Sequence, residues 1–408
     1  MKQLITVMLL LLSAITFAQT ENYWVKKSDF AGLKRERAVA FSVNGKGYVG
    51  TGVDTAERCH KDLWEYDPFT DTWMQKANLP GSVRRNAVGF TIGDKGYVGL
   101  GIDTSDASLG NILKDFWQYN PMTNTWVQKA DYPGAGGNGV YFATAFSVDN
   151  KGYVCGGKKG PSDYTNELWE YKPLTNSWTL RSNFPGGVRY QLISFVINDK
   201  AYIGLGTDYN IYRKDIWRYN PGNNTWQQLS NFPGGERGSA CAFTLAERGY
   251  VCLGTDGGLK DDLWEFDPYQ ETWTPRANYG GSNRSSAVAF VVGYRAYVGT
   301  GDGYTGKKAS MHEYVPVSVI GEAEYAAHQA LQVFPNPAND HVMITVKNPS
   351  SKMSAALFTL EGKQVMQEQF SQQNTFTIYR NALESGVYVL MIRDAHNNII
   401  ATEKVIFN

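Results

Sequence analysis

The sequence is poor in cysteine and histidine and carries no excess charge of either sign. Four cysteines in 408 residues, none of them in a Cys-x-x-Cys pair, exclude a dense disulfide framework. With only five histidines, they also argue against a structural zinc site. The 39 basic residues balance 39 acidic ones, which argues against a general binder of nucleic acid or anionic membranes. We therefore expect no metal, no cofactor and no nucleic-acid partner.

Long apolar runs are also missing, apart from one at the N-terminus. The opening stretch MKQLITVMLLLLSAITFAQT has an early lysine, an apolar run and small residues at Thr16 and Ala18. This pattern predicts a secretory signal peptide over residues 1–18, with cleavage after Ala18. A membrane anchor is the alternative, but the run from Leu4 to Ala18 is short for a bilayer span. We expect an exported protein without a transmembrane segment.

What the sequence has in abundance is repetition. The phrase DLWEYDPFTDTW at residues 62–73 returns as DFWQYNPMTNTW, ELWEYKPLTNSW, DIWRYNPGNNTW and DLWEFDPYQETW. The first tryptophan of each phrase recurs every 47–53 residues, and a second follows nine residues later. Each unit contains four strand-like runs joined by short turns, including a hairpin signal at Asn44-Gly45. Such a repeat predicts the blades of an all-β propeller.

The sixth copy is split between the two ends of the repeat region. The stretch SMHEYVP places His312 where the first unit has Trp64, and no Thr-Trp strand follows it. The missing strand is predicted near the N-terminus, where NYWVKKSDFAG around Trp24 aligns with TWMQKANLPG. Pairing of that strand into the last blade would remove the free sheet edges. We predict a six-bladed propeller over residues 19–316.

These residues resemble the kelch-repeat family of propellers. That family ends the second strand of each blade with Gly-Gly, and here the second glycine is present in all six units: Gly52, Gly101, Gly157, Gly206, Gly254 and Gly301. The first glycine is retained only as Gly156, and the spaced aromatic pair is also kelch-like. The resemblance covers residues 23–316 and implies a six-bladed kelch-type β-propeller closed by its N-terminal strand.

A different pattern begins after Pro316. Residues 317–332 look like a linker, and alternating strand-like runs over residues 333–408 predict a small β-sandwich. Four motifs there resemble the C-terminal sorting domain of bacterial type IX secretion, with the matching residues Pro335, Asn336, Pro337, Gly362, Lys363, Gly386, Tyr388 and Lys404. The resemblance implies the type IX machinery and a sorting protease as partners, and a secreted or outer-membrane-surface location. An accessory sandwich for adhesion is the alternative.

Two repeated polar positions are candidates for a ligand site. An arginine precedes the first strand in five units, and an aspartate follows the glycine that ends the second strand: Arg35, Arg84, Arg189, Arg237 and Arg284, with Asp54, Asp103, Asp208, Asp256 and Asp302. Both sets are expected at one end of the blades, because the first strand starts where the second one finishes. They could be Arg–Asp pairs that fix loops, or a charged channel mouth that binds an anionic or hydroxyl-rich ligand. The variable loops add further candidates: Tyr164, Tyr209, Tyr212, Arg213 and Tyr304.

Two short patterns suggest chemistry that their context argues against. GAGGNG at residues 134–139 matches a phosphate-binding glycine motif, but a strand rather than a helix follows it. A two-residue hairpin turn would place Cys241 opposite Cys252, where a bridge could form in an oxidising compartment. Cys155 stands at the position equivalent to Cys252 without a facing cysteine. We favour free buried thiols over a bridge.

Two functions are open at this point. The first is a secreted or surface-displayed binding module for a glycan or another protein, which uses the channel mouth and the variable loops. The second is a sugar-active enzyme of the sialic-acid mutarotase type found among kelch propellers, with Glu236 or Glu57 as the acid/base group. A copper radical oxidase of the kelch family needs paired histidines and tyrosines, whereas the propeller has only His60 and His312. No motif selects a catalytic residue, and the repeated tryptophans are expected to pack between blades rather than bind sugar.

Overall fold

The computed structural model describes residues 22–105, 110–293, 295–316, 331–346, 352–359, 363–370, 374–394 and 399–408. Within these ranges nearly all regular structure is β-strand, and the one helical segment is a 3₁₀ turn at Ala135–Gly137. No helix in the described ranges has the length and apolar character to cross a membrane. The predicted signal peptide and residues 317–330 of the predicted linker lie outside them.

Six four-stranded antiparallel sheets make up the described part of residues 22–316. Sheet 1 consists of Val39–Val43, Lys46–Gly50, Leu63–Asp67 and Thr72–Lys76, and sheet 2 of Val88–Ile92, Lys95–Gly99, Phe116–Asn120 and Thr125–Lys129. Sheet 3 consists of Thr144–Val148, Lys151–Cys155, Leu168–Lys172 and Ser177–Leu180, and sheet 4 of Ile193–Ile197, Lys200–Gly204, Ile216–Asn220 and Thr225–Gln228. Sheet 5 consists of Cys241–Leu245, Arg248–Cys252, Leu263–Asp267 and Thr272–Arg276. Sheet 6 consists of Val288–Val292, Arg295–Gly299, Met311–Val315 and the N-terminal strand Tyr23–Lys27.

Short strands pair in the loops that connect these sheets and their inner strands. They are Arg35–Glu36 with Val53–Asp54, Ile102–Asp103 with Asn111–Ile112, Thr207–Asp208 with Ile211–Tyr212, and Asp302–Gly303 with both Arg284–Ser285 and Gly306–Lys307. The predicted hairpin turn of sheet 1 is present, since Asn44 and Gly45 have φ angles of 55° and 69° and Val43 faces Lys46. Two consecutive positive φ angles match the twist of the flanking strands.

The N-terminal strand completes sheet 6 in the way that the alignment predicts. Tyr23–Lys27 runs antiparallel to Met311–Val315, and Trp24 faces Tyr314. Trp73 faces Tyr66 in sheet 1 by the same register. In sheet 1 the two aromatic residues of this pair come from one repeat and are seven positions apart. In sheet 6 the equivalent residues are nearly 300 positions apart in the sequence.

Aromatic packing joins neighbouring sheets. Phe41 stacks on Tyr48 with ring centroids 5.1 Å apart, and Tyr48 in turn meets Tyr119 of sheet 2 edge-on at 5.6 Å. The tryptophan of each outermost strand is half-buried and reaches the preceding sheet; Trp126 Nε1, for example, donates to the Ala77 carbonyl at 2.8 Å. The repeated rings thus pack between sheets, as expected.

The two kelch glycine positions have different requirements. At the first, the chain is left-handed even where glycine is absent, as at Leu100 with a φ of 61°. At the second, Gly101 has a φ of 90°, and a Cβ would lie 2.7 Å from the Arg85 carbonyl oxygen. A side chain is tolerated in the left-handed region at some cost, but it cannot overlap a backbone oxygen. This explains why only the second glycine is present in all six units.

The described part of residues 331–408 forms two antiparallel sheets, and Asn336 of the predicted sorting motifs connects one sheet to the other. One sheet contains Leu331–Phe334, His341–Val346 and Thr375–Tyr379, and the other contains Met353–Thr359, Gln364–Phe370, Gly386–Asp394 and Ile399–Phe407. Asn336 Oδ1 accepts from the Ile406 amide at 2.8 Å, and its amide group donates to the Lys404 carbonyl. Tyr388 donates its hydroxyl to the Glu384 carbonyl at 2.9 Å. Gly362 lies outside the described residues.

The four cysteines are buried free thiols. Cys241 faces Cys252 across the hairpin of sheet 5, in the register that the sequence predicts. The hydrogen bond with Cys241, followed by burial, raises the pKa of Cys252 well above its usual range, so the thiolate that starts disulfide exchange is disfavoured.

Candidate functional site

The five predicted arginines are buried and bond within the protein. Their exposed fractions are 0–2%. Arg84 is typical: its Nη1 and Nη2 donate to Asp115 Oδ1 and Oδ2 at 2.8 and 2.7 Å, and Nη1 also donates to the Leu100 carbonyl at 3.1 Å. Equivalent ion pairs join Arg35 to Asp62, Arg189 to Asp215 and Arg237 to Asp262. These aspartates stand two residues before the first tryptophan of their repeats, so the arginines hold the loops of sheets 1, 2, 4 and 5 together.

The aspartates predicted from sequence lie close to the arginines but bond elsewhere. Backbone pairing sets Arg35 opposite Asp54, whose carboxylate accepts from the Arg58 amide and Nε, each at 3.0 Å. Burial raises the pKa of Asp54, but the hydrogen bonds from Arg58 and the nearby His60 outweigh it and hold the pKa well below its usual range. Similar contacts within single loops join Asp103 to Ser105, Asp208 to Arg213 and Asp256 to Lys260.

A ring of six residues, one from the entry to each sheet, lies two positions after the arginine. We call Arg37, Asn86, Phe142, Gln191, Ser239 and Ser286 the ring. All six have φ angles of 52–58°, in the left-handed region. The amide of each donates to the carbonyl of the ring residue before it, and Arg37 donates to Ser286, at distances of 2.9–3.3 Å. The ring is therefore held by backbone hydrogen bonds, and its side chains are free to differ.

The side chains of this region differ strongly from sheet to sheet. The residues that precede the ring, here called the flanking set, are Glu36, Arg85, Tyr141, Tyr190, Gly238 and Ser285. Large or charged side chains come from the entries to sheets 1–4, whereas sheets 5 and 6 contribute glycine and serine. A cavity of about 150 Å³ lies against the ring and is also lined by the residues that follow it: Ala38, Ala87, Ala143, Leu192, Ala240 and Ala287. Backbone symmetry is thus combined with a one-sided set of side chains.

Lys158 lies among tyrosines on this one side. Its Nζ is 4.8, 5.2 and 5.7 Å from the ring centroids of Tyr190, Tyr164 and Tyr141. No carboxylate among the described residues is within ion-pair distance of Nζ. Burial lowers the pKa of Lys158. The ammonium group is stabilised by aromatic faces rather than by a counter-charge, which leaves its donors available to a ligand.

Acidic groups lie near the entry to sheet 1. Lys307 donates to the Asp54 carbonyl at 2.8 Å and also bonds the Glu57 carboxylate. Burial is the main cause that raises the pKa of Glu36, with the charge of Arg37 opposing it. Arg37 contacts both an acidic and an aromatic residue: its Nε is 3.3 Å from Glu36, and its guanidinium is 5.4 Å from the centre of the Phe142 ring.

The predicted loop tyrosines adjoin the tyrosine cluster. Tyr209 is 66% exposed and meets Tyr164 edge-on at 5.2 Å. Tyr212 pairs with Thr207 through the backbone. Tyr304 lies in another loop, where its hydroxyl accepts from the Leu259 amide at 3.0 Å. The structure therefore brings Tyr164, Tyr209 and Tyr190 together, and leaves Tyr304 apart from them.

Sequence reasoning missed the ring, although a signal for it exists. The residues at this position vary from unit to unit, from Arg37 to Phe142 to Ser239, while the next position is alanine in five of the six units and the position two residues before is arginine in five. A position that varies inside an otherwise constant repeat is a candidate for recognition. The predicted arginines, in contrast, recur in five of the six units, and such repetition indicates a structural role.

Sheets 3 and 6 depart from the Arg–Asp pairing. Sheet 3 has Val140 in place of the arginine, and its Glu167 accepts from Trp169 Nε1 at 2.8 Å. Sheet 6 keeps Arg284 but has Ser310 in place of the aspartate and His312 in place of the tryptophan. The Arg284 Nη1 donates to Ser310 Oγ at 3.0 Å.

His312 is predicted to make stability depend on pH. Its pKa is lowered to about 4, first by burial and then by the charges of Lys26 and Arg284, against a smaller effect of Asp29. Tyr279 shares a hydrogen bond with His312 Nδ1 at 3.0 Å. Because the unfolded chain binds this proton more readily, the contribution of His312 is complete above pH 6.5 and is lost toward pH 4.

We expect the wild type to lose about 3 kcal/mol more stability than His312→Gln between neutral pH and pH 4. Urea unfolding of both proteins at several pH values measures the difference. Carboxylates titrate equally in the two proteins and cancel from the comparison. Parallel pH profiles would show that His312 does not titrate as the structure indicates.

Comparison with known proteins identifies two parts of the chain. Residues 131–301 match the model of the KLHDC2/KLHL20/DRC7 Kelch-repeats domain, and residues 332–408 match that of the secretion system C-terminal sorting domain. The solved structure titled "Structure of YjhT" superposes with a TM-score of 0.61 at 16% identity, covering 70% of this chain and 96% of that one. This likeness supports a propeller-like all-β fold.

Among curated proteins, the chain is similar to N-acetylneuraminate epimerases over a short stretch. The identity is 36% over 92 residues with the protein of Escherichia coli O9:H4 (strain HS), and 35% with that of Shigella boydii serotype 4 (strain Sb227). The stretch covers 21% of this chain and 24% of each relative. From the two family matches, the chain carries kelch repeats at residues 131–301 and, at residues 332–408, a C-terminal sorting domain of type IX secretion, which implies export to the cell surface or the medium.

Proposed function

We propose that this protein is an exported six-bladed kelch propeller, closed by its N-terminal strand, that binds a ligand at the ring. In this proposal residues 1–18 are the signal peptide, 19–316 the propeller, 317–332 a linker and 333–408 the sorting domain. Closure is supported by the pairing of Tyr23–Lys27 with Met311–Val315 and by the hydrogen bond from the Arg37 amide to the Ser286 carbonyl. The inner strands of sheets 1 and 6 also contact each other.

The observation that supports ligand binding is that the ring has the same backbone conformation in all six sheets but different side chains in most of them. A purely structural ring would use the same residues in every sheet, as the arginines and tryptophans do. Here Arg37, Phe142 and Gln191 occur once each and line a cavity of about 150 Å³. The Lys158 cluster, which also occurs once, adjoins Phe142 through Tyr141 and Tyr190. Small-molecule sites commonly exceed about 300 Å³, so the cavity fits one group of a larger ligand rather than a whole one.

A glycan is the ligand class that these groups suit best. Aromatic faces next to a few fixed polar groups suit a ligand with one apolar face and several hydroxyls. Tyr141, Tyr164 and Phe142 offer such faces, and Lys158 and Gln191 offer hydrogen-bonding groups. Tyr209 and Tyr212 extend the proposed surface outward, while the buried arginines and loop aspartates support it from within.

Binding of the full-length chain to a broad glycan array tests this proposal. We expect capture of one sugar class, and we expect Lys158→Gln and Phe142→Ala to weaken it about tenfold or more. Lys151→Gln is the matched control, because it removes the same charge from the hairpin at the other end of sheet 3. No capture by a folded protein would exclude a glycan, and equal losses in both lysine variants would exclude the ring as the site.

A sugar-active enzyme is the second candidate, favoured by the similarity to N-acetylneuraminate epimerases. Acid/base catalysis on a sugar ring needs a carboxyl group whose pKa lies closer to neutrality than usual. Glu36, in the flanking set, has a raised pKa, whereas the bond to Lys307 lowers the pKa of Glu57. Exchange between the anomers of N-acetylneuraminate, followed by NMR, tests this candidate. Faster exchange that Glu36→Gln abolishes without loss of binding would support it, and an unchanged rate with the wild type would exclude it.

A further inference from the structure

Arg284 is a buried cation without the carboxylate that its counterparts have. Four arginines at this position form ion pairs with aspartates of the same sheet, and each is 0–2% exposed: Arg35, Arg84, Arg189 and Arg237. Arg284 is equally buried, at 1%. Ser310 stands in place of the aspartate, and no carboxylate among the described residues lies within ion-pair distance of Arg284.

The hydrogen bonds of Arg284 reach only neutral oxygens. Nε donates to the Ser282 carbonyl at 2.9 Å, and Nη1 donates to the Thr300 carbonyl and to Ser310 Oγ, both at 3.0 Å. Nη2 donates to Ser282 Oγ at the longer distance of 3.3 Å. Its ring contact is to Tyr279, whose centroid lies 4.9 Å from the guanidinium carbon. These contacts satisfy donors, but they do not neutralise the charge.

In the sheets that have an Arg–Asp pair, the aspartate carboxylate lies beside the guanidinium and neutralises its charge. In sheet 2, a Cβ added to Gly81 would lie 2.4 Å from both Arg84 Nη2 and Asp115 Oδ2. In sheet 6 a Cβ added to the equivalent Gly281 would lie 2.8 Å from Arg284 Nη2 and 3.0 Å from His312 Cε1. Sheet 6 thus keeps the glycine and the arginine, as Gly281 and Arg284. The aspartate of sheets 1, 2, 4 and 5 is replaced there by Ser310, which is shorter and neutral.

Burying an ionised group without a counter-charge is strongly unfavourable, and such groups are paired in folded proteins. We propose that a small monovalent inorganic anion, such as chloride, binds beside Arg284 at the place where the other sheets hold an aspartate carboxylate. The guanidinium and the hydroxyls of Ser282 and Ser310 supply its donors. The corresponding carboxylates are 17–28% exposed, so an anion at this place can exchange with solvent.

The surroundings favour a small anion of single charge over phosphate or sulfate. Arg284 supplies the one positive charge of the proposed site, and the space is small, since Arg284 and His312 leave no room even for a Cβ at Gly281. Asp29 is the carboxylate whose charge raises the pKa of Arg284, but its side chain is 61% exposed and bonds Lys26. The lowered pKa of Arg284, caused first by burial, agrees with an unneutralised cation.

Two reciprocal variants test the proposal by urea unfolding of the full chain. Sodium chloride is compared with sodium gluconate at equal ionic strength. The wild type is expected to show a midpoint that rises with each tenfold increase in chloride. Ser310→Asp, which restores the carboxylate, is expected to be more stable in gluconate and insensitive to chloride. Asp262→Ser, which recreates the sheet 6 arrangement at Arg237, is expected to be less stable in gluconate and to gain a steeper chloride response.

Crystallography with bromide in place of chloride tests directly whether an anion binds at Arg284. We expect an anomalous peak within hydrogen-bond distance of Arg284 Nη2 in the wild type, and none there in Ser310→Asp. The absence of a peak at Arg284, or an equal chloride response in the wild type and Ser310→Asp, would overturn the proposal.

Discussion

Asp115→Ala is expected to lower the free energy of unfolding by about 3–5 kcal/mol, because it leaves a buried cation without its partner. Arg84 is 0% exposed and donates to both carboxylate oxygens of Asp115. Trp117 Nε1 donates to the same Oδ2 at 2.6 Å and loses that acceptor. The variant therefore creates one unpaired charge and one unpaired indole in the same place.

Chemical denaturation of the full chain measures this effect, with Asp94→Ala as the matched control. Asp94 is an exposed carboxylate of the same sheet and pairs with Lys95 on the surface. Surface pairs contribute about 0–1 kcal/mol, so the control is expected to unfold close to the wild type. Equal losses in the two variants would mean that the Arg84–Asp115 pair is not buried as the structure has it.

Trp126→Ala is the second large effect, with an expected loss of about 3 kcal/mol. The ring packs on Tyr119 at 4.9 Å, and its Nε1 binds the Ala77 carbonyl of the preceding sheet. Since Trp126 is half-buried rather than fully buried, the lower end of the range for large aromatic residues applies.

Val127→Thr is the control for Trp126→Ala, because Val127 is the next residue of the same strand and is exposed. An exposed substitution on a strand is expected to change stability by about 0.5 kcal/mol or less. If Trp126→Ala unfolded with the wild type, the register between Tyr119 and Trp126 would be wrong.

The sequence predicted the strands well because its repeat leaves little freedom. Each hairpin signal, aromatic pair and glycine recurs at the same position of its unit, so a strand assigned in one unit can be tested against the others. This is why the alignment of Trp24 with Trp73 was sufficient to predict which strand pairs with Met311–Val315. The match of residues 332–408 to the sorting domain likewise follows from motifs that retain their order.

The partners of the arginines and the position of the ring were harder to predict. The sequence offers two aspartates to Arg84, Asp103 and Asp115, and only the path of the loop decides that Asp115 is bound. The ring depends on left-handed backbone at residues as different as Arg37 and Phe142, and side-chain identity does not reveal such a conformation. Patterns of residue type therefore located the framework, while loop geometry determined the candidate site.

The backbone hydrogen bonds of the ring bear on how this protein can diversify. Because the hydrogen bonds that connect Arg37, Asn86 and their four counterparts run between backbone amides and carbonyls, exchanging a ring side chain removes none of these hydrogen bonds. Most proteins must change loops or core contacts to acquire a new ligand, and they lose stability as they do so. Here six positions can be substituted without loss of these hydrogen bonds, so the ligand preference proposed for the ring can change while the architecture stays the same.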